Sequence, residues 1–181
     1  ISVCLVGSEM CIRDSVSLAH PTCDKFSDII LKIGKKLNIK IESGGTYMTM
    51  EGPQFSTLAE SKLYKDNWKC DVIGMTNMPE AKLAKEAEIC YVSLSMVTDF
   101  DCWHPDHDSV EVSDIIKTLT ENSSKAQKII EALPDFLKSD RNLCGLGCNN
   151  ALDNAIITAP EKRDKDVLEK LDVILERLNK K

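Results

Sequence analysis

Helical and extended patterns of apolar residues alternate along the chain. Between Asp24 and Asn38, apolar side chains recur every three to four positions, which predicts a helix with one buried stripe. Residues 37–43 alternate between apolar and polar side chains, as a half-exposed strand does. The Gly44-Gly45 pair ends this strand, and a second strand is predicted over 47–50.

The same alternation continues through the middle of the chain. Residues 57–60 (TLAE) match a capping box, which predicts a helix that runs to about Trp68. A short buried strand is predicted over 71–75, followed by an amphipathic helix over 79–88 that starts at a proline. Residues 89–97 (ICYVSLSMV) are apolar and include β-branched side chains, which is typical of a buried strand.

The C-terminal part is predicted to be mainly helical. Ser113 is expected to cap a long helix that ends near Leu133, and residues 135–149 are typical of a loop. A last helix is predicted over 166–178. Strands that alternate with helices indicate an α/β fold, in which helices flank a central sheet.

Polar segments follow three of the predicted strands. They are the 51–56 loop, Met75-Thr76, and the TDFDCW segment at 98–103. Because ligands of α/β sheets bind at the carboxyl ends of strands, these segments are predicted to converge on one small-molecule pocket. Asp99 and Asp101 stand out, since two carboxylates at the end of a buried strand are costly unless they bind something. On spacing alone, a solvated turn with two helix-capping aspartates is an equal alternative.

Length and charge narrow the classes of function. A chain of 181 residues predicts one domain with a substantial core. Its formal net charge of −6 argues against nucleic acid or an anionic membrane surface as the main partner. The sequence has no apolar run long enough to span a bilayer, so no membrane partner is expected.

The cysteines indicate a reducing compartment. All eight are scattered and no secretory signal precedes them, which favours free thiols. Cys144 and Cys148 are the one close pair in the sequence, either a small disulfide or part of a metal site. Structural zinc is the less favoured interpretation, because the chain has three histidines and no second close cysteine pair. The HPDHD segment at 104–108 is likewise interpreted as a polar loop rather than a metal site.

The first residues differ in character from the rest. The chain begins at Ile1, and residues 1–15 (ISVCLVGSEMCIRDS) resemble translated adapter sequence. The alternative is a short genuine strand over 3–7. We therefore expect a leader at 1–15 that is foreign to the fold and a partial domain at 16–181.

Three segments together carry a family resemblance. EGPQFSTLAES (51–61), VIGMTNMPEAKLAKEAEICYVSLSMVTDFDCW (72–103) and CNNALDNAI (148–156) resemble the S-methyl-5'-thioadenosine phosphorylase family. The discriminating piece is the TD-aromatic-DCW motif, since phosphorylases that prefer 6-oxopurines place an asparagine in this region. The resemblance implies a nucleoside phosphorylase-like α/β fold with a mixed central sheet, N-terminally truncated in this chain.

The resemblance also implies a reaction. Phosphorolysis splits the N-glycosidic bond, and adenine leaves well only if its N7 is protonated. By resemblance, Asp99 is the general acid at N7, and its second oxygen accepts from the exocyclic amine. The Asp99 carboxyl must then stay protonated near neutral pH, which burial or a nearby negative charge promotes. Asp101 is hypothesised to supply that charge.

Other roles follow from the same resemblance. Phe55 forms the aromatic wall against the purine, Met75 lies against the ribose with its N–H at the 2'-hydroxyl, and Thr76 contacts phosphate. Ser56 and Val112 tune substrate preference, with Val112 lining an apolar pocket for the methylthio group. Phe100 and Asp101 complete the predicted substrate-binding set. From the sequence alone, a core position is the favoured interpretation of Phe55, and Met75 fits an ordinary core residue at the end of a strand.

The resemblance extends to partners. It implies a cytoplasmic homotrimer, with the nucleus as a second location, that acts on a small-molecule nucleoside in purine and methionine salvage. No metal or cofactor is implied, and inorganic phosphate is the co-substrate. The family's other phosphate ligands precede the matched region, so the full-length protein is expected to be the enzyme and this chain alone to be inactive. The alternatives are a non-catalytic purine-binding or interaction fragment, or a phosphorylase for other purine nucleosides.

Overall fold

Two parallel strands and six α-helices make up the described part of the chain. The computed structural model describes residues 15–105, 111–139 and 144–179. The elements in chain order are α1 (Asp24–Lys36), β1 (Tyr47–Thr49), α2 (Leu58–Lys62), β2 (Val72–Gly74), α3 (Asn77–Glu86), α4 (Val112–Ser139), α5 (Lys165–Lys170) and α6 (Asp172–Asn179). A π-helical turn, Leu63–Asn67, continues α2, and 3₁₀ turns occur at Cys148–Asn150 and Pro160–Lys162. The α/β class predicted from the sequence is confirmed, whereas a strand at 3–7 lies outside the described residues.

The strands predicted over 47–50 and 71–75 are both present, and they pair with each other. Tyr47 is opposite Val72 and Thr49 is opposite Gly74, in parallel register. The α2 helix begins at the predicted capping box. There the Thr57 hydroxyl accepts from the Glu60 N–H at 3.3 Å, and the Glu60 carboxylate accepts from the Thr57 N–H at 2.8 Å. These reciprocal bonds fix the direction in which the chain leaves the loop after β1.

The strand predictions for two further segments, 37–43 and 89–97, are wrong. Residues 37–43 and 89–97 have no strand pairing in the described ranges, although side chains from both segments contact the core. The prediction of burial also fails at the ends of the second segment, since Ile89 is 58% exposed and Val97 56% exposed. An apolar pattern reports which side chains can be buried, whereas strand formation needs a neighbouring backbone to complete the hydrogen bonds.

The main core lies between α1 and α4. Ile29, Ile30 and Ile33 of α1 pack with Ile129 of α4, and Ile33 is fully buried. The core extends onto α4 further than predicted, because Phe136 also packs against it. The α4 helix continues through Pro134 and ends at Ser139. The prediction of a loop over 135–149 is therefore wrong for its first residues. The predicted last helix is confirmed, but as two helices that break at Leu171.

Two helices end in the same way. At α1, the Ile39 N–H donates to the Gly34 carbonyl at 2.8 Å, and Asn38 adopts a left-handed φ of 54°. At α3, the Ile89 N–H donates to the Ala84 carbonyl at 2.8 Å, and Glu88 has a φ of 57°. This pattern is the Schellman motif, which turns the chain sharply away from the helix axis. It aims both following segments back across the core.

An ion pair joins the end of α3 to α6. The Arg177 Nε and one terminal nitrogen each lie 2.6 Å from a carboxylate oxygen of Glu88. The Leu152 N–H donates to the same carboxylate at 3.0 Å, and the second Arg177 nitrogen binds Asp153 at 2.7 Å. The Glu88 side chain is only 10% exposed, so this bidentate pair fixes the C-terminal segment to the domain.

Acidification is expected to weaken this link. The hydrogen bond from Arg177 lowers the pKa of Glu88 below its ordinary value of 4.5; burial acts in the opposite direction, and the Leu152 N–H assists the lowering. Because the pKa is lower in the folded chain, the stabilisation is fully present above about pH 4.5 and is lost as the pH falls through the folded pKa. Urea unfolding from about pH 6 to pH 3 should show a steeper stability loss for wild type than for Glu88→Gln.

The exposed Glu86 provides the control for this measurement. Glu86→Gln should follow the wild-type pH dependence, because Glu86 is the exposed last residue of α3 and lies outside the ion pair. Parallel curves for wild type and Glu88→Gln would show that the ion pair contributes nothing to the acid sensitivity.

Candidate active site

The segment after β1 contacts the end of β2. Gly52 has a φ of 73°, and a Cβ at this position would lie 2.9 Å from the Met75 Sδ. Glycine therefore permits both the left-handed backbone and the close approach to Met75. The structure in this way brings together two of the three strand exits that the sequence marks.

The same loop contacts the aspartate segment. The Cys102 thiol donates to the Ser56 carbonyl at 3.6 Å. The Ser61 hydroxyl, on a residue that is 1% exposed, donates to the Asp101 carboxylate at 2.5 Å. The other Asp101 oxygen accepts from the Cys102 N–H at 2.9 Å. The three polar segments are therefore in contact through the 51–56 loop and α2, although the third follows no strand, and Asp101 holds the 98–103 segment against α2.

Asp99 is placed differently from Asp101. Its side chain is exposed, and one carboxylate oxygen accepts from the Thr98 hydroxyl at 2.5 Å. The described residues therefore do not provide the burial that the sequence interpretation expected for a protonated carboxyl. Neither aspartate caps a helix, since the next helix in the described ranges begins at Val112. Asp101 instead caps a turn, in which the His104 N–H donates to the Asp101 carbonyl at 3.0 Å.

Aromatic side chains lie in the aspartate segment and in the loop after β1. Phe100 is 60% exposed and stacks on His104, with ring centroids 4.3 Å apart and planes 8° apart. Trp103 meets the Phe100 ring edge-on at 5.7 Å, and its own ring is contacted by the Lys65 ammonium 3.1 Å from the centroid. Phe55 is 83% exposed, so the alternative that it is a core residue is wrong. Exposed aromatic faces next to carboxylates suit a planar, polar ligand.

The remaining predicted residues lie at helix starts. Thr76 is exposed and precedes α3, and its hydroxyl caps no described N–H group. Val112 begins α4 and is 70% exposed. Sequence reasoning missed Asn77, which is 7% exposed and accepts from the Tyr91 hydroxyl at 3.1 Å. It also missed Ser61 and Lys65, whose roles depend on contacts made from α2 and its π-helical extension.

A cleft borders the main core, since Ile30 and Ile129 of that core line it. It encloses about 930 Å³ and is lined by one face of α1, residues 39–47, residues 92–97, one face of α4, and Asp71, Val72 and Asn77. None of the predicted site residues lines it. The predicted site residues lie instead in the loop after β1, at the end of β2, in the 98–103 segment and at the start of α4.

Ser61→Ala is expected to destabilise the fold by about 1–2 kcal/mol. The reason is that the Asp101 carboxylate loses the hydroxyl that donates to it from a buried position. Chemical denaturation of the variant measures the loss. The exposed Ser95 provides the control, and Ser95→Ala should change stability by less than about 0.5 kcal/mol. Equal effects of the two substitutions would show that the Ser61–Asp101 bond does not hold the segment.

The family follows from a profile match across most of the chain. The profile of the Phosphorylase superfamily matches residues 6–134. The chain belongs to this superfamily. The match includes the loop after β1, the end of β2 and the aspartate segment, which are the three parts that form the candidate active site.

Curated relatives of the chain carry a more specific name than that of the superfamily. The chain is 54% identical over 165 residues to S-methyl-5'-thioadenosine phosphorylase of Cereibacter sphaeroides, covering 91% of this chain and 57% of that protein. It is 52% identical over 163 residues to the protein of the same name from Bradyrhizobium diazoefficiens, covering 90% and 56% respectively. The chain thus spans little more than half the length of the relatives that it matches.

Solved structures confirm the predicted nucleoside phosphorylase-like fold. A methylthioadenosine phosphorylase from an Antarctic soil metagenomic library superposes with a TM-score of 0.82 at 38% identity, covering 90% of this chain and 57% of that chain. Methylthioadenosine phosphorylase from Schistosoma mansoni, solved with adenine, gives a TM-score of 0.63 at 25% identity over 70% of this chain and 50% of that one. The roles of individual site residues stay predictions.

Proposed function

We propose that this protein catalyses the phosphorolysis of S-methyl-5'-thioadenosine to adenine and 5-methylthioribose 1-phosphate. The observation that carries the proposal is the TDFDCW segment, held by Asp101 and Ser61 beside the exits of β1 and β2. Relatives that share half or more of their aligned residues with the chain bear the name of this activity.

Asp99 is the proposed general acid. In the reaction the bond between C1' and N9 breaks, a bond between C1' and a phosphate oxygen forms, and N7 receives a proton. A protonated Asp99 donates that proton while its second oxygen accepts from the adenine amine. The exposed Asp99 carboxyl is accessible to a purine ring, and a bound purine would itself exclude water from the carboxyl.

The neighbouring side chains suit the rest of the substrate. The exposed rings of Phe55 and Phe100 offer apolar surface to the purine, and Val112 offers it to the methylthio group. By family resemblance, Met75 is assigned to the ribose and Thr76 to inorganic phosphate, and both residues lie where β2 meets α3. Ser56 lies in the loop that Cys102 holds in place. No cofactor or metal is assigned to this reaction.

The proposal also covers the oligomeric state and the cellular location of the protein. The site side chains Asp99, Phe55 and Val112 are exposed in the isolated chain, so a homotrimer would supply cover for them. The described ranges contain no helix with the length and apolar character needed to cross a membrane. We place the enzyme in the cytoplasm, with the nucleus as a second location. It would act there in purine and methionine salvage.

The experiment uses the chain alone and as part of a chimera. In the chimera, the chain replaces the matching part of the Cereibacter sphaeroides protein. Adenine release from methylthioadenosine is followed with and without phosphate, and adenosine and inosine are compared. Phosphate-dependent release by the chimera, with methylthioadenosine preferred over inosine, is the expected result. A preference for inosine would overturn the substrate assignment.

A purine-binding protein without turnover is the second candidate. It is favoured by the fact that Thr76 is the one phosphate contact assigned within the chain, and a single hydroxyl binds phosphate weakly without a cation or several N–H groups. Calorimetry with adenine separates the candidates. Adenine binding by a chimera that fails to turn over would support the second candidate and contradict the first.

A further inference from the structure

Four cysteines from distant parts of the sequence meet in the interior. The Sγ atoms of Cys23, Cys90, Cys144 and Cys148 all lie within 4.8 Å of one another. Cys23, Cys144 and Cys148 are 1%, 9% and 3% exposed, and Cys90 is half-buried. The cluster has no part in the proposed reaction, because it contacts none of the residues assigned to the substrate or to phosphate.

The arrangement has the size of a tetrathiolate metal centre. A tetrahedral zinc ion with Zn–S bonds of about 2.3 Å holds its four sulfur atoms about 3.8 Å apart. The observed limit of 4.8 Å allows that geometry with small side-chain movements. A disulfide would use only two of the four sulfur atoms and would leave the others without a partner.

The local backbone supports a metal-binding turn. Cys144 and Cys148 flank a tight turn, in which the Gly147 N–H donates to the Cys144 carbonyl at 3.2 Å and Gly147 has a φ of 62°. The Cys148 N–H then points at the Cys144 sulfur at 3.1 Å. An N–H group donated to sulfur stabilises a thiolate, which is the form that ligates metal.

A buried lysine lies beside the cluster. Lys85 is 7% exposed, and its ammonium lies 3.7 Å from the Cys148 sulfur. In the described ranges it forms no ion pair with a carboxylate. A buried ammonium is costly unless an anion accompanies it. Four thiolates around a divalent ion would carry two net negative charges, and Lys85 is positioned to offset one of them.

We propose that Cys23, Cys90, Cys144 and Cys148 bind one structural zinc ion, with Lys85 as the neighbouring counter-charge. The sequence alone favours no zinc site, and the proposal departs from that expectation because folding brings the four cysteines together. Binding forms four zinc–sulfur bonds and releases the thiol protons to the solvent, and no electron is transferred. The ion would join the start of α1, the segment after α3 and the turn before the Cys148–Asn150 helix. Its role is therefore to stabilise the fold, independently of the proposed enzymatic activity.

Metal content and cobalt substitution of the full 181-residue chain test the proposal. The chain is purified with reductant, and one zinc ion per chain is expected. Cobalt added to the metal-free chain should give the intense charge-transfer and visible bands of a tetrahedral tetrathiolate site. Cys90→Ser and Cys148→Ser should lose these bands. Cys70→Ser is the matched control, because Cys70 lies outside the cluster and the bands should persist.

A variant that keeps all four ligands separates metal binding from misfolding. Lys85→Met should weaken cobalt affinity about 10–100-fold while the tetrathiolate spectrum is retained. The proposal is overturned if the reduced wild-type chain gives no thiolate–cobalt band, or if Cys90→Ser keeps the band unchanged. A Cys144–Cys148 disulfide in protein purified with reductant would overturn it as well.

Discussion

Asp99→Asn is expected to lower kcat/KM for methylthioadenosine by about 10²–10⁴-fold, the usual contribution of a general acid. Asparagine keeps the size of the side chain and can still accept from the adenine amine. It has no acidic proton to deliver to N7, so adenine would have to leave as an anion. Initial rates of adenine release by the chimera, at saturating phosphate, measure the effect.

Thr98→Val is the matched control for this substitution. Thr98 is the neighbouring residue and donates the hydrogen bond that Asp99 accepts at 2.5 Å. Its loss leaves the carboxyl in place, so the rate should fall by less than about tenfold. Adenine affinity is measured for each variant, because a general acid affects kcat more than binding of the free base. Full activity of Asp99→Asn would contradict the proposed proton transfer.

A change of substrate preference gives a second readout of the same substitution. A carboxyl that donates to N7 and accepts from an amine suits adenine. An asparagine amide offers a donor to the oxygen of a 6-oxopurine. The ratio of inosine to adenosine cleavage should therefore rise in Asp99→Asn even as the overall rate falls. An unchanged ratio would mean that residue 99 does not contact the purine.

Local signals explain which parts of the fold were predictable. The capping box at Thr57 could be recognised because both of its hydrogen-bonding partners lie within four residues. The α1 helix was predictable from its apolar stripe, and Ile29, Ile30 and Ile33 in that stripe are buried. Helices are determined largely by such short-range patterns. The strand prediction for 89–97 fails because pairing depends on backbone from elsewhere in the chain.

In the candidate site, too, local sequence signals could be recognised, whereas contacts between distant residues could not. Asp99 and Asp101 were identifiable from their position after an apolar run, but their different surroundings were not. Asp101 is held by Ser61, which precedes it by 40 residues and has no recognisable motif of its own. The cysteine cluster was missed for the same reason. Cys23 and Cys90 are isolated in the sequence, and only folding brings them to Cys144 and Cys148.

Ile129→Ala is expected to lower the free energy of unfolding by about 2–5 kcal/mol. Ile129 is 2% exposed and is the residue of α4 buried in the cluster that α1 forms with Ile29, Ile30 and Ile33. Removing its outer carbons leaves a cavity that rigid isoleucine neighbours cannot fill. Urea denaturation of the 181-residue chain, followed by far-ultraviolet circular dichroism, measures the loss.

The adjacent residue provides an unusually close control. Ile130 follows Ile129 on the same helix but is 63% exposed, and alanine has the higher helix propensity. Ile130→Ala should therefore change stability by less than about 1 kcal/mol. The difference between the two variants isolates burial, since the chemical change and the helix are identical. Equal losses would mean that the α1–α4 interface is not the core of the isolated chain, because burial alone distinguishes the two positions.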